Sequence, residues 1–230
     1  MLDVHPPEHA AHSWRDFFIH IATIVVGLII AVGIEQSVEW LHHRHQRAEL
    51  REALHVDAEK AIADCERVHH FAVDESAALG ARIGQVQAAI KTHQPLAAAA
   101  AHTAQDWDEP IAPAWKAALS SQLVHVLPQD EIQAFWEVDA EVDTLQSLHW
   151  PMNNARQRVL EIESKDGFVG NAPVAATPAQ LDEYLDALVK ARSEVERFDS
   201  WAGGLRGAEG AILRGEHDLD KVQAAERQPW

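Results

Sequence analysis

Cysteine is nearly missing from this chain: Cys65 is the only one in 230 residues. A single thiol can close no internal disulfide and can supply no Cys-based zinc site within one chain. It reads as a small apolar helix residue, with an intermolecular disulfide as the alternative. Cationic side chains are also scarce, 19 Lys and Arg against 36 Asp and Glu, for a formal net charge of −17. Nucleic-acid binding relies on clustered Lys and Arg, so that class is excluded. Helix breakers are few, with Gly at 11 and Pro at 10. The chain has no repeat of fixed period and no segment with convincing strand alternation. It also lacks a Gly-rich phosphate loop, a Gly-x-Ser-x-Gly elbow and a His-Glu-x-x-His motif. Ser120 and Ser121 lie near His125 in sequence, but nothing marks them as a nucleophile pair. These absences argue against an enzyme and for no cofactor.

What is present is a long uncharged run, from Phe17 to Ile34. As a helix its 18 residues span about 27 Å, close to the hydrocarbon thickness of a bilayer. We read a transmembrane helix over residues 17–38, preceded by a short tail over 1–16. Trp14 and Trp40 flank it as interfacial anchors, about 39 Å apart along a helix, matching the two aromatic belts. A cleaved signal peptide wants a basic start, whereas this tail carries Asp3, Glu8 and Asp16 against Arg15. Ala31-Val-Gly33 is nevertheless a passable cleavage pattern. A buried core helix is the other rival, although such helices are usually shorter and amphipathic.

One face of this helix is distinct. His20, Thr23, Gly27, Ala31 and Glu35 recur at spacings of three and four and fall on one stripe. Thr23, Gly27 and Ala31 form a small-xxx-small pattern, which lets a second helix approach closely in lipid. His20 and Glu35 are polar groups that favour protein over acyl chains. The expected partners are therefore the lipid bilayer and a second membrane helix, from another copy or another subunit. Arg44, Arg47 and Arg51 follow the run, so the positive-inside tendency puts the larger part in the cytoplasm.

Residues 39–230 read as an acidic helical domain. Leu50, Leu54, Ala58, Ile62, Cys65, Val68, Ala72, Leu79, Ile83, Val86 and Ile90 keep to helical spacing. They predict one long helix from the membrane to about Lys91. Residues 92–113 look irregular, with a helical turn among the alanines at 97–101. A second helix is expected over Pro113–Val124, a third from Pro128 to Trp150, and a fourth over Pro151–Ser164, because Pro151 disfavours helix at the residue before it. Asp166 to Ala176 is a loop, and Thr177-Pro-Ala-Gln180 is a capping box that opens the last helix. That helix carries the series Ala191, Phe198, Leu205, Ile212, Leu219 and Leu188, Val195, Ala202, with a bend at Gly203, Gly204 and Gly207. The fold class is all-α, an elongated bundle in which the membrane helix continues into a long helix packed with three to four others.

Three constellations could carry chemistry. Glu39, His42 and His45 lie within two helical turns and could ligate zinc or another divalent metal if a further helix contributed. The competing reading is an amphipathic imidazole cluster at headgroup level. His69 and His70 are read as a solvated face with Glu66 and Asp74 in pairing range. Trp107, Trp115, Trp136, Trp150 and Trp201 either fill gaps between helices or line the pocket of a sensory, ligand-binding bundle.

The anchor text from His12-Ser-Trp-Arg-Asp to Ala31, with the segment Trp115-Lys-Ala-Ala-Leu-Ser-Ser121 and Leu127, resembles an uncharacterised bacterial family of small single-pass membrane-anchored helical proteins. The resemblance implies an inner-membrane anchor and a helical domain drawn outside the cytoplasm, the opposite side to the charge count. It brings no catalytic residues. The expected function is a non-enzymatic accessory or scaffold subunit that mediates protein contacts or homo-oligomerises.

Overall fold

The computed structural model describes residues 14–99, 110–228 and 230. It is all-α: α1 is Trp14–Thr92, α2 Pro113–Ser120, α3 Gln129–Asp166, α4 Pro178–Leu213 and α5 Leu219–Glu226. Among the described residues, β-pairing is limited to two isolated bridges, Leu96 with Val174 and Ala99 with Val169. The chain divides into two compact units, Met1–Glu49 and Leu50–Trp230.

In the second unit, α1 buries the stripe Leu50, Leu54, Ala58, Ala61, Cys65, Val68, Ala72, Leu79, Val86 and Ala89. The expected apolar positions are largely the buried ones, but Ile62, Ile83 and Ile90 are only half-buried. Asp64, Glu75 and Arg82 occupy buried positions on the same helix. The gap that the apolar pattern leaves between Ala72 and Leu79 is thus filled by Glu75, whose carboxylate meets Arg156 of α3 at 2.8 Å.

The second expected helix is shorter than its periodicity suggested. It stops at Ser120, where the Ser120 and Ser121 hydroxyls each donate to the Ala117 carbonyl at 2.8 Å. Gln122 then takes a left-handed φ of 60° and a 3₁₀ turn follows over Leu123–Val126. The expected helical turn among the alanines is also absent where described. Residues 97–99 are non-helical, and the Ala99 N–H donates to the Phe168 carbonyl at 2.7 Å. Ala100 and Ala101 lie outside the described residues.

The expected helix break at Pro151 does not occur. α3 runs unbroken from Gln129 to Asp166 with Pro151 inside it. A proline there forfeits one backbone hydrogen bond and crowds the preceding turn, a penalty of about 3 kcal/mol. Burial on both sides offsets it. Val142 and Leu145 before the proline, and Met152, Val159 and Ile162 after it, are all essentially inaccessible, so the buried stripe keeps its phase. A break would have turned one half of that stripe to solvent.

α4 begins as expected. The Thr177 hydroxyl accepts from Gln180 N–H at 3.3 Å, and the Gln180 carboxamide accepts from Thr177 N–H at 2.9 Å. Its two apolar series are buried from Leu188 to Ile212, but Leu219 is the first residue of a separate helix, because α4 ends at Leu213 and Gly215 adopts a φ of 78°. Gly203, Gly204 and Gly207 do not interrupt α4; they make room for its neighbours. A Cβ on Gly207 would stand 2.2 Å from the Ala225 carbonyl oxygen of α5, and one on Gly203 would stand 2.9 Å from the Trp230 indole nitrogen.

Candidate functional site

The first unit contains the helical segment that the uncharged run predicts. It is long and apolar enough to cross a membrane, by length and composition, and none of its apolar window is buried. A core helix of a soluble domain would be mostly covered. All five residues of the predicted stripe, His20, Thr23, Gly27, Ala31 and Glu35, are exposed on this helix, as are Trp14 and Trp40.

The polar members of the helix find bonds within it. Thr23 donates to the Ile19 carbonyl at 2.9 Å, and Ser37 donates to the Gly33 carbonyl at 2.7 Å. The His20 ring nitrogen lies 3.2 Å from the Asp16 carbonyl. A hydroxyl satisfied four residues back can face lipid without an orphaned donor. Gly27 and Gly33 have nothing within 4 Å of where a Cβ would stand. Neither glycine is therefore required by packing inside the chain. Trp40 lies under the Arg44 guanidinium, 5.6 Å from the ring centroid.

The His cluster does not assemble a ligand set. Glu39, His42 and His45 are exposed, and His45 pairs instead with Glu49 at 3.1 Å. Among the described residues no group of three or more His, Cys, Asp or Glu is placed to hold a metal. His69 leaves the face shared with Glu66 and Asp74. It reaches Asp199 of α4 at 2.9 Å and stacks on Trp230 with ring centroids 4.0 Å apart.

Trp115 is buried, stacked on Phe135 at 5.5 Å and edge-on to the exposed Trp136 at 5.9 Å, while Trp150 and Trp201 are exposed elsewhere and Trp107 lies outside the described residues. None of the four described tryptophans lines a cavity of about 340 Å³ formed by the end of α1 (Ala89, Ile90), His93 and Pro95, and the start of α4 (Pro178, Leu181). Of the five, Trp115 is the one buried among the described residues, where it fills the space between α2 and α3.

Two buried polar arrangements went unread in the sequence. In the first, Arg82 is 7% exposed and holds four groups. Its Nε donates to the Tyr184 hydroxyl at 2.9 Å, and its terminal nitrogens donate to Gln85 at 2.8 Å and to the Ala97 and Phe168 carbonyls at 2.6 and 3.4 Å. The Tyr184 hydroxyl donates onward to Glu163 of α3. Burial, with the Glu163 carboxylate beside it, pushes the Tyr184 phenol well above its ordinary range. The available signal was Arg82 itself, three residues after Leu79 and four before Val86, on an otherwise apolar stripe.

In the second, Glu209 of α4 is 4% exposed and receives no hydrogen bond or ion pair from any described residue. Burial foremost, and then the negative charge of Asp57 on α1, raise its carboxyl to about 8. Asp57 in turn accepts the Ala114 N–H of α2 at 2.7 Å. Burial likewise pushes the Cys65 thiol up, so it is an inert core thiol and a poor nucleophile.

No family model, curated protein or solved structure matches this chain.

Proposed function

We propose that this chain is a single-pass protein of the bacterial inner membrane that works without catalysis, as an accessory or scaffold subunit. In this reading the helix over 17–38 lies in the bilayer and its stripe of His20, Thr23, Gly27, Ala31 and Glu35 contacts a second helix. The helical domain supplies further protein contacts outside the lipid. The observation that carries the reading is the wholly uncovered apolar helix whose Gly27 has open space at its Cβ. Apolar surface on this scale needs lipid or protein to cover it. Small residues on one face let helix backbones approach closely enough for van der Waals packing.

The open space makes Gly27 a clean probe. Leucine at Gly27 or Ala31 should leave the helical domain's own stability within about 0.5 kcal/mol, as for surface substitutions. It should nonetheless break association. Native mass spectrometry or crosslinking of the wild-type chain in detergent is expected to show an oligomer or a stoichiometric partner. The Gly27→Leu and Ala31→Leu variants are expected to run as monomers. A wild-type monomer without partner, or variants that associate unchanged, would remove the proposal.

A further inference from the structure

Asp57 of α1 lies between two elements, holding the start of α2 and facing Glu209 of α4. Residue pairs between α1 and α4 follow an antiparallel register: Arg82 with Tyr184, Ser76 with Glu196, His69 with Asp199. Continued, that register sets Glu209 against the turn of α1 that holds Asp57, Ala58 and Ala61. The two alanines are inaccessible, which brings the helices close and leaves Glu209 only 4% exposed.

The two carboxyls are unequal. Glu209 is almost fully buried and receives no hydrogen bond from any described residue, whereas Asp57 is half-buried. Asp57 also holds α2 by its Ala114 N–H, one residue into the helix, next to the buried Trp115. We propose that Glu209 and Asp57 form a proton-controlled latch: with Glu209 protonated Asp57 holds α2 on the bundle, and when Glu209 ionises Asp57 is driven outward and α2 is released.

The charged groups around the pair leave little to compensate an extra negative charge. On α1, burial raises the Asp57 carboxyl, opposed first by the Ala114 N–H and then by Lys60, while Asp64 and Cys65 lie about two turns on. Asp64 pairs with Arg67. From α4, Arg206 lies with its guanidinium over the Trp230 ring, 4.7 Å from the centroid. From α2 only the Ala114 N–H is recorded against Asp57. The sign follows from linkage. Glu209 binds its proton more tightly in the folded domain than its ordinary 4.5, so this contribution is full below 4.5 and is lost as pH rises through about 8. The released segment would uncover Trp115 and Ala118, an apolar face available for the protein contacts proposed above.

Hydrogen exchange of the full chain in detergent tests the latch, with rates corrected for the intrinsic effect of pH. Between about pH 6.5 and about pH 9.5, the amides of α2 should lose about tenfold in protection, the effect of one unit of carboxyl shift. Those of α4 should change little. Glu209→Gln keeps the site neutral and Asp57→Asn removes the opposing charge, so each should make α2 protection independent of pH. The Gln and Asn variants are independent, so one suffices if the other fails to fold. Unchanged α2 protection in the wild type would overturn the latch. So would equal loss in α2 and α4, or a Gln variant that still follows the wild-type profile. Because association is not read, failure here leaves the membrane-contact proposal separately testable.

Discussion

Arg82→Met should lower the unfolding free energy of the helical domain by about 2–4 kcal/mol, because it strips donors from several buried oxygens at once, each costing about 1–3 kcal/mol when left unsatisfied. Methionine is close in length and fills the space, so the loss is not a cavity effect. What disappears is the one donor to the Ala97 carbonyl among the described residues, and a donor to the Tyr184 hydroxyl and Phe168 carbonyl. Glu163, 2% exposed, then keeps its Tyr184 hydrogen bond but loses the guanidinium beyond it. The consequence extends to the loops. Arg82 touches the segment after α1 and the segment after α3, which among the described residues are otherwise tied to each other by the Leu96–Val174 and Ala99–Phe168–Gly170 backbone hydrogen bonds. Tyr184→Phe removes one hydroxyl and should lose less, about 1–3 kcal/mol. Urea unfolding followed by far-ultraviolet dichroism measures both. An Arg82→Met variant within about 1 kcal/mol of wild type would mean the guanidinium contributes no more than an ordinary neutral hydrogen bond.

The same substitution at two glycines should act with opposite sign. At Gly84 of α1 nothing lies within 4 Å of a new Cβ, so Gly84→Ala should stabilise by up to about 1 kcal/mol through helix propensity. At Gly207 a Cβ meets the Ala225 carbonyl oxygen at 2.2 Å and its carbon at 2.8 Å. Both are backbone atoms of α5 and cannot swing aside as a side chain can. α5 must then retreat from α4, withdrawing Val222 and Ala225 from the core, and overpacking of this kind costs about 1–3 kcal/mol. The propensity gain only partly offsets that. Gly207→Ala should therefore unfold earlier in urea and lose exchange protection in α5. Stabilisation at both positions would contradict the tight approach of α5.

The sequence was most legible where one physical requirement dominates. The uncharged run from Phe17 to Ile34, the burial phase of Leu50 to Val86 and the Thr177–Gln180 capping box each follow from local chemistry. It misled where tertiary packing outweighs a local preference. Pro151 stays helical because Leu145, Met152 and Val159 are buried on one continuous stripe, and α4 runs on through Gly207, where α5 packs closely. The buried polar groups were illegible for another reason. Asp64, Glu75 and Arg82 sit on the buried face of α1, but Tyr184 and Arg156 lie 102 and 81 positions from Arg82 and Glu75 in the chain, so periodicity marks the face and not the pairing. Trp136, Trp150 and Trp201 show the converse, since large aromatics promise burial and these three are exposed.

Everything proposed for the first unit rests on residues 17–38 remaining uncleaved in a bilayer. Carbonate extraction of native membranes at high pH, read by immunoblot against a C-terminal epitope, tests that claim most directly. Full-length chain is expected to stay in the membrane pellet. Chain released into the supernatant, or shortened by the length of residues 1–33, would contradict it.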